Sequence, residues 1–219
     1  MARFLFLVVA LFAAVAAKPA WAMSYALVQF ADGRCSASCP QAIFAYGTIE
    51  LDEPRRLLAF AQGLAGSGSV PANLILHSPG GNLAGALALG QGVRRLGMRT
   101  IVASVTPAGP ARGALRPGRC ASACVFVLMA GRSRVVPNGS RVLVHSPRRA
   151  GVGQRDIVGS GTIDRVVPPE SIAGALEEYT RSMGVDPGLI RLSYTVPNSS
   201  ARELTRAEIL RFRLATLAP

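Results

Sequence analysis

The sequence is poor in side chains that could hold a metal ion. Its only two histidines, His77 and His145, are isolated, and its four cysteines stand in two close pairs. A structural zinc site needs about four nitrogen or sulfur ligands, and an oxidising compartment would favour disulfides over a zinc-cysteine site. We therefore expect neither a metal nor another cofactor. Aromatic residues make up only 6% of the chain, so Val, Leu, Ile and Ala are expected to fill the core.

Acidic residues are also scarce, with 12 against 24 basic ones and a formal net charge of +12. The basic residues are almost all arginines, scattered singly or in pairs such as Arg55-Arg56, Arg94-Arg95 and Arg148-Arg149. Because no basic tract forms, this pattern indicates a solvated basic surface and no nucleic-acid partner. Weak association with anionic envelope surfaces is the side effect we expect.

Long apolar runs are absent beyond the beginning of the sequence. Residues 4–17 are apolar, a basic residue precedes them, and Ala20-Trp21-Ala22 is typical of a cleavage site. A run this short does not easily cross a hydrocarbon core of roughly 30 Å, so residues 1–22 are predicted to be a signal peptide cleaved after Ala22. An uncleaved anchor is the alternative. The mature protein, residues 23–219, is expected to be periplasmic or secreted.

The four cysteines form two C-x3-C pairs, Cys35 with Cys39 and Cys120 with Cys124. In an exported protein an even number of cysteines favours disulfides, and four cysteines allow three connectivities. All three connectivities stay open from the sequence. We expect at least one disulfide to fix the loop around Ser122.

Strand-like and helix-like segments alternate along the chain, joined by glycine-containing turns. Tyr25 to Phe30, Ala42 to Ile49, Asn73 to His77, Thr100 to Val105 and Arg141 to His145 are predicted strands. Predicted helices begin near Asp52, Leu83, Ser122, Pro168, Asp186 and Thr205, the last with a capping box. Thr106 to Arg119, rich in Pro and Gly, is interpreted as a surface loop. The pattern predicts one α/β domain with a mostly parallel sheet.

Three segments could carry chemistry. Gly80-Gly81 lies in the turn at the carboxyl end of a buried strand, and two glycines let backbone N–H groups point into a cavity, where they could stabilise an oxyanion. Ser122 opens an apolar helix, either as an N-cap or as a nucleophile. His145 ends a buried strand and could serve as its general base. His77, at another strand end, is interpreted as structural.

These segments resemble, in order and spacing, the three signature blocks of ClpP-like serine peptidases. The blocks are residues 77–82 (HSPGGN), 120–131 (CASACVFVLMAG) and 141–147 (RVLVHSP). The likeness runs from about Ile43 to Ala215 and is greatest to the exported bacterial branch whose serine is flanked by cysteines. It implies a single-domain ClpP/crotonase-like spiral of ββα units. It also implies Ser122 as nucleophile, His145 as base, and an oxyanion hole made from Gly80 or Gly81 and the N–H of Ala123.

One position departs from that family. The family's orienting aspartate aligns near Ala201, where this sequence has no carboxylate. The candidates for orienting the imidazole are therefore Asn198, Ser199 and Ser200, or Asp156 and Asp164 from the preceding loop. Loss of this role can slow a triad by roughly four orders of magnitude.

Two functions follow as expectations. The first is a periplasmic or secreted serine hydrolase that cleaves a peptide or protein substrate. The second is a catalytically weak or inert protein of the same fold that acts in binding or assembly. A crotonase acting on CoA thioesters fits poorly, because an exported protein would rarely meet that cofactor. A homo-oligomer is compatible with the fold, and no ATP-dependent unfoldase is expected outside the cytoplasm.

Overall fold

The structure is a computed structural model that describes residues 22–30, 40–66, 68–108, 112–147 and 169–216. The predicted signal peptide, except its last residue Ala22, and the segments with Cys35, Cys39, Asp156 and Asp164 lie outside the described residues. Within them no helix has the length and apolarity to cross a membrane.

Nine strands and six helices are described. The strands are β1 (Ser24–Phe30), β2 (Gln41–Tyr46), β3 (Asn73–His77), β4 (Arg99–Pro107), β5 (Arg112–Pro117), β6 (Arg119–Ala121), β7 (Arg134–Val135), β8 (Arg141–Val144) and β9 (Arg202–Glu203). The helices are α1 (Glu53–Ala65), α2 (Leu83–Arg95), α3 (Cys124–Ala130), α4 (Pro169–Ser182), α5 (Gly188–Tyr194) and α6 (Arg206–Arg211).

The larger sheet closes on itself. Its order is β3-β2-β1-β5-β4-β7, and β3 also pairs with β4, so five strands form a ring. β2, β3 and β4 are parallel neighbours, whereas β1–β2 and β4–β5 pair antiparallel. The fold is therefore a mixed α/β single domain, and the sheet is less uniformly parallel than the sequence predicted.

The prediction of a loop over Thr106 to Arg119 is wrong. Residues of this stretch form β5, which pairs with β4 on one side and β1 on the other, and the beginning of β6. Gly118 lies where an added Cβ would collide with the Ala103 backbone. The glycines that suggested a loop instead permit close strand packing.

Strand side chains alternate between two apolar clusters, as the two-residue period of a strand requires. Leu74 and Leu76 of β3 join the main core under the helices, while Ile75 between them joins a second cluster. Helices α2, α3 and α4 meet at Gly90 of α2, where the absence of a side chain leaves room for the Tyr179 hydroxyl of α4. That hydroxyl donates a 3.0 Å hydrogen bond to the Phe126 carbonyl of α3. The helices thereby hold α3 and the turn before it against the sheet.

A smaller sheet carries two of the predicted site segments. β6 runs parallel to β8, with Ala121 opposite Leu143, and β8 pairs antiparallel with β9. The carboxyl ends of β6 and β8 therefore lie side by side. In α/β folds this edge is where sites form.

Candidate active site

Ser122 occupies a sharp turn between β6 and α3. Its φ of +54° lies in the left-handed region, which is rare for a non-glycine residue. Its N–H donates a 2.9 Å hydrogen bond to the Leu143 carbonyl of β8. The N-cap interpretation of Ser122 is wrong, since Ala123 takes that position and no side chain caps the helix. A strained strand-to-helix turn that presents a half-buried serine is the geometry of a nucleophile elbow.

His145 directly follows β8, the strand beside β6. The two candidate residues thus follow the ends of neighbouring parallel strands. The sequence predicted the strand before His145 but not the one before Ser122. Within the described residues no hydrogen bond joins the Ser122 hydroxyl to His145. Such a bond is often loose before substrate binds, and the pairing stays a prediction.

The His145 ring is held by a backbone group. Its Nδ1 lies 2.8 Å from the Ser146 carbonyl oxygen. A carbonyl can only accept, so Nδ1 is the donor in this contact, and in the neutral ring the lone pair lies on Nε2. This is the tautomer that a general base needs.

Three of the residues proposed to orient the imidazole, Asn198, Ser199 and Ser200, are exposed, and in the described residues none of them is bonded to the ring. The Ser146 N–H donates to the Val196 carbonyl at 2.8 Å, which brings residues 196–200 alongside. Asn198 and Ser199 are exposed there, and the Ser200 hydroxyl donates to the Pro197 carbonyl at 3.2 Å. Across the described ranges no carboxylate is bonded to His145. The sequence does not predict the role of the Ser146 carbonyl, because every residue carries the same backbone group.

The diglycine turn is fixed by Ser78. The buried Ser78 hydroxyl donates to the Gly47 carbonyl at 2.6 Å and accepts from the Gly80 N–H at 3.1 Å. Ile49 holds the other side, because its N–H donates to the Gly80 carbonyl and its carbonyl accepts from Asn82, both at 2.8 Å. Gly80 and Gly81 have φ values of +102° and +144°, which favour glycine.

The same turn packs directly on the serine elbow. A Cβ added to Gly80 would lie 2.6 Å from the Ala121 carbonyl oxygen, 2.8 Å from Ser122 Cβ and 3.0 Å from the Ala123 nitrogen. The Gly80 N–H is taken by Ser78, whereas in the described part of the chain those of Gly81 and Ala123 donate to no acceptor. Gly81 and Ala123 are therefore the available pair of oxyanion donors, and this assignment stays a prediction.

His77 has a structural environment. Its Nδ1 accepts the Arg119 N–H at 3.2 Å. Burial, together with the nearby Arg119 cation, lowers the pKa of His77, so the ring is neutral at pH 7. It helps to align β3 with β6.

A disulfide joins Cys120 and Cys124 on either side of Ser122. Their Cα atoms are 5.3 Å apart, within the usual range, and both residues are fully buried. The expectation that a disulfide fixes the Ser122 loop is thus confirmed for this pair. Cys35 and Cys39 lie outside the described residues.

Removing this disulfide should loosen the elbow. The bond closes a loop of about five residues, for which chain entropy gives about 2 kcal/mol of stabilisation. We expect Cys120→Ala/Cys124→Ala to lose about that much stability in urea unfolding. An unreduced peptide map that links Cys120 to Cys35 or Cys39 would contradict the assignment.

Two other features lie away from this site. A cavity of about 260 Å³, lined by residues that include Val136, Ser140 and Arg206, lies at the amino end of β8 and includes neither Ser122 nor His145. Among the described residues no cluster of three His, Cys, Asp or Glu side chains could hold a metal ion.

Solved structures show which fold this chain shares. No protein-family model matches the sequence, and no curated protein matches it. Among solved structures, one that is similar is a serine-to-alanine mutant of the 1510-N membrane-bound stomatin-specific protease, with a TM-score of 0.50 and 15% identity. The match covers 80% of this chain and 76% of that chain. The chain therefore shares its fold with a protease.

Proposed function

We propose that this protein is an exported serine peptidase of the ClpP-like type, with Ser122 as nucleophile and His145 as general base. The observation that carries the proposal is the serine elbow, which lies against the diglycine turn and beside β8, the strand that His145 directly follows. The fold shared with a protease supports it. So does the ClpP-like order of the three sequence blocks.

The proposed reaction begins with attack of the Ser122 Oγ on the carbonyl carbon of a peptide bond. His145 Nε2 takes the hydroxyl proton, and the oxyanion accepts hydrogen bonds from the N–H groups of Gly81 and Ala123. Collapse breaks the C–N bond, and the imidazolium gives its proton to the leaving amine. Water, activated by the same Nε2, then hydrolyses the acyl-enzyme.

The Ser146 carbonyl takes the place of the orienting aspartate in this mechanism. It holds the ring in the correct tautomer, as an aspartate would. A neutral carbonyl stabilises the developing imidazolium less than a carboxylate does, because charge-assisted hydrogen bonds are roughly twice as strong. We therefore expect slow turnover.

The test is covalent labelling with a fluorophosphonate, which reacts with activated serines. Mass spectrometry of the digested protein should find the probe on Ser122. Unfolded protein and the Ser122→Ala variant are the controls, and neither should be labelled.

The second candidate is a binding or assembly protein of the same fold with little catalysis. The neutral partner of His145 favours it, since no carboxylate of the described residues supports the ring. Folded protein that takes no probe at Ser122 would support this candidate over the peptidase.

A further inference from the structure

The middle of the chain contains no carboxylate. Residues 54–155 include fourteen arginines and no Asp or Glu. Ser78, the diglycine, Ser122 and His145 all lie in this stretch. The candidate site is therefore built from a part of the chain with charge of one sign.

Two of these arginines lie close to Ser122 along the chain. Arg116 on β5 and Arg119 on β6 precede Ser122 by six and three residues in nearly continuous extended chain, and both are exposed. At about 3.3 Å per residue these positions lie at most roughly 20 and 10 Å from Ser122. If a peptide binds in extended form at Ser122, a few of its residues on one side of the cleaved bond are enough to reach Arg119 and Arg116.

These two guanidinium groups are available. In the described ranges neither forms an ion pair, whereas Arg141, beside Arg119 in the β6–β8 register, is paired with Glu203 at 2.6 Å. Arg119 also lies close enough to His77 for its charge to affect that ring, which places the cation at the end of β3 beside the diglycine turn. The end of β3 beside the diglycine turn thus carries the positive charge of Arg119, which no carboxylate of the described residues neutralises.

We propose that the site takes acidic polypeptide segments, with the Arg119 guanidinium binding a substrate carboxylate and Arg116 extending the cationic path. This inference rests on the proposed peptidase function. A guanidinium presents several N–H donors in a geometry that matches a carboxylate. Exposed charge of one sign beside a site also raises the local concentration of oppositely charged substrate.

The test uses internally quenched peptides of equal length, with the residues flanking a common neutral centre set to Glu, Gln or Lys. At low ionic strength we expect kcat/KM for the Glu peptide to exceed that for the Gln peptide by about tenfold and the Lys peptide to be slowest. The preference should shrink at about 0.5 M salt, where exposed charges are screened within a few ångströms. Equal kcat/KM for all three peptides would overturn the inference.

Matched variants assign the preference to a residue. Arg119→Gln should reduce the Glu-to-Gln ratio to about threefold or less, since it removes one close cation. Arg95→Gln is the control, because Arg95 is also exposed without an ion pair in the described structure but lies at the end of α2 remote from the diglycine turn. An Arg95→Gln effect equal to that of Arg119→Gln would show general charge attraction and overturn the assigned contact.

A binding measurement separates this inference from the peptidase proposal. Fluorescence anisotropy of the labelled peptides on Ser122→Ala protein needs no catalysis. If wild type cleaves nothing but binds the Glu peptide more tightly through Arg119, the peptidase proposal fails and the acidic-ligand site stands. If a single-stranded oligothymidylate of equal charge displaces the Glu peptide at lower concentration than unlabelled Glu peptide does, the site prefers nucleic acid and the inference fails.

Discussion

Gly80→Ala is expected to slow fluorophosphonate labelling of Ser122 by at least about 100-fold, the range seen when an oxyanion contact is lost. The added methyl group would lie within 3.0 Å of three atoms of the serine elbow, namely the Ala121 carbonyl oxygen, Ser122 Cβ and the Ala123 nitrogen. Two of the three are backbone atoms, which cannot rotate away. The elbow or the diglycine turn must therefore move.

This effect does not depend on the Gly80 N–H as an oxyanion donor. That N–H is bonded to Ser78, so the substitution acts by moving Ser122 and by crowding the Ala123 N–H. The φ of +102° adds strain for any residue with a side chain. Activity should therefore fall by more than the loss of global stability explains.

The matched control is Gly92→Ala. Gly92 lies in α2, and a Cβ there would meet nothing within 4 Å. The labelling rate should be unchanged, and stability should rise slightly because alanine is the better helix former. Circular dichroism confirms that both variants fold. A folded Gly80→Ala protein that is labelled within threefold of the wild-type rate would show that the two turns do not form one site.

Local rules predicted most of the helices. The capping box at Thr205 and Glu208 is present, and α2 begins after Asn82, whose side chain accepts from the Gly85 N–H at 2.8 Å. Capping and helical spacing act within one or two turns, so a sequence window contains the whole signal. The strand that ends at His77 was predicted with that end, and β8 ends at Val144, one residue before the predicted end at His145.

The missed elements depend on partners distant in sequence. β5 forms because β1 and β4 supply its hydrogen bonds, which no local propensity of a Pro- and Gly-rich segment reveals. The Ser146 carbonyl was missed because backbone groups carry no sequence signature. The convergence of the diglycine turn on Ser122 was predicted only through the resemblance to ClpP-like peptidases.

The role of Arg134 is also not apparent from the sequence. Arg134→Met is expected to lower the free energy of unfolding by about 3–5 kcal/mol, the loss seen when other buried charge networks are broken. The side chain is buried, and no carboxylate of the described residues pairs with it. Its guanidinium instead donates to five backbone carbonyls, those of Met129, Gly131, Met183, Arg213 and Leu214, at 2.8–3.4 Å.

These carbonyls belong to three separate segments of the fold. Two of the carbonyls lie at the end of α3, one directly follows α4 and two follow α6. One cation therefore joins the carboxyl ends of three helices, where the helix dipole favours positive charge. Burial and the cations Arg94 and Arg213 lower the pKa of Arg134 to about 10, and the group stays charged at neutral pH. Methionine has similar length but no donor, so the buried carbonyls would lose their partner.

Urea unfolding measures the loss, with Arg132→Met as control. Arg132 is exposed two residues away, and its substitution should change stability by less than about 0.5 kcal/mol, as surface changes usually do. Arg134→Lys should lose an amount of stability between those of Arg134→Met and Arg132→Met, because an ammonium keeps the charge but cannot reach five acceptors in one plane.

Because Arg134 holds the far end of the helix that begins after Ser122, Arg134→Met should also slow fluorophosphonate labelling under conditions where the variant is folded. A stability loss below about 1 kcal/mol would mean that water replaces the guanidinium and that the three helix ends are held by packing alone.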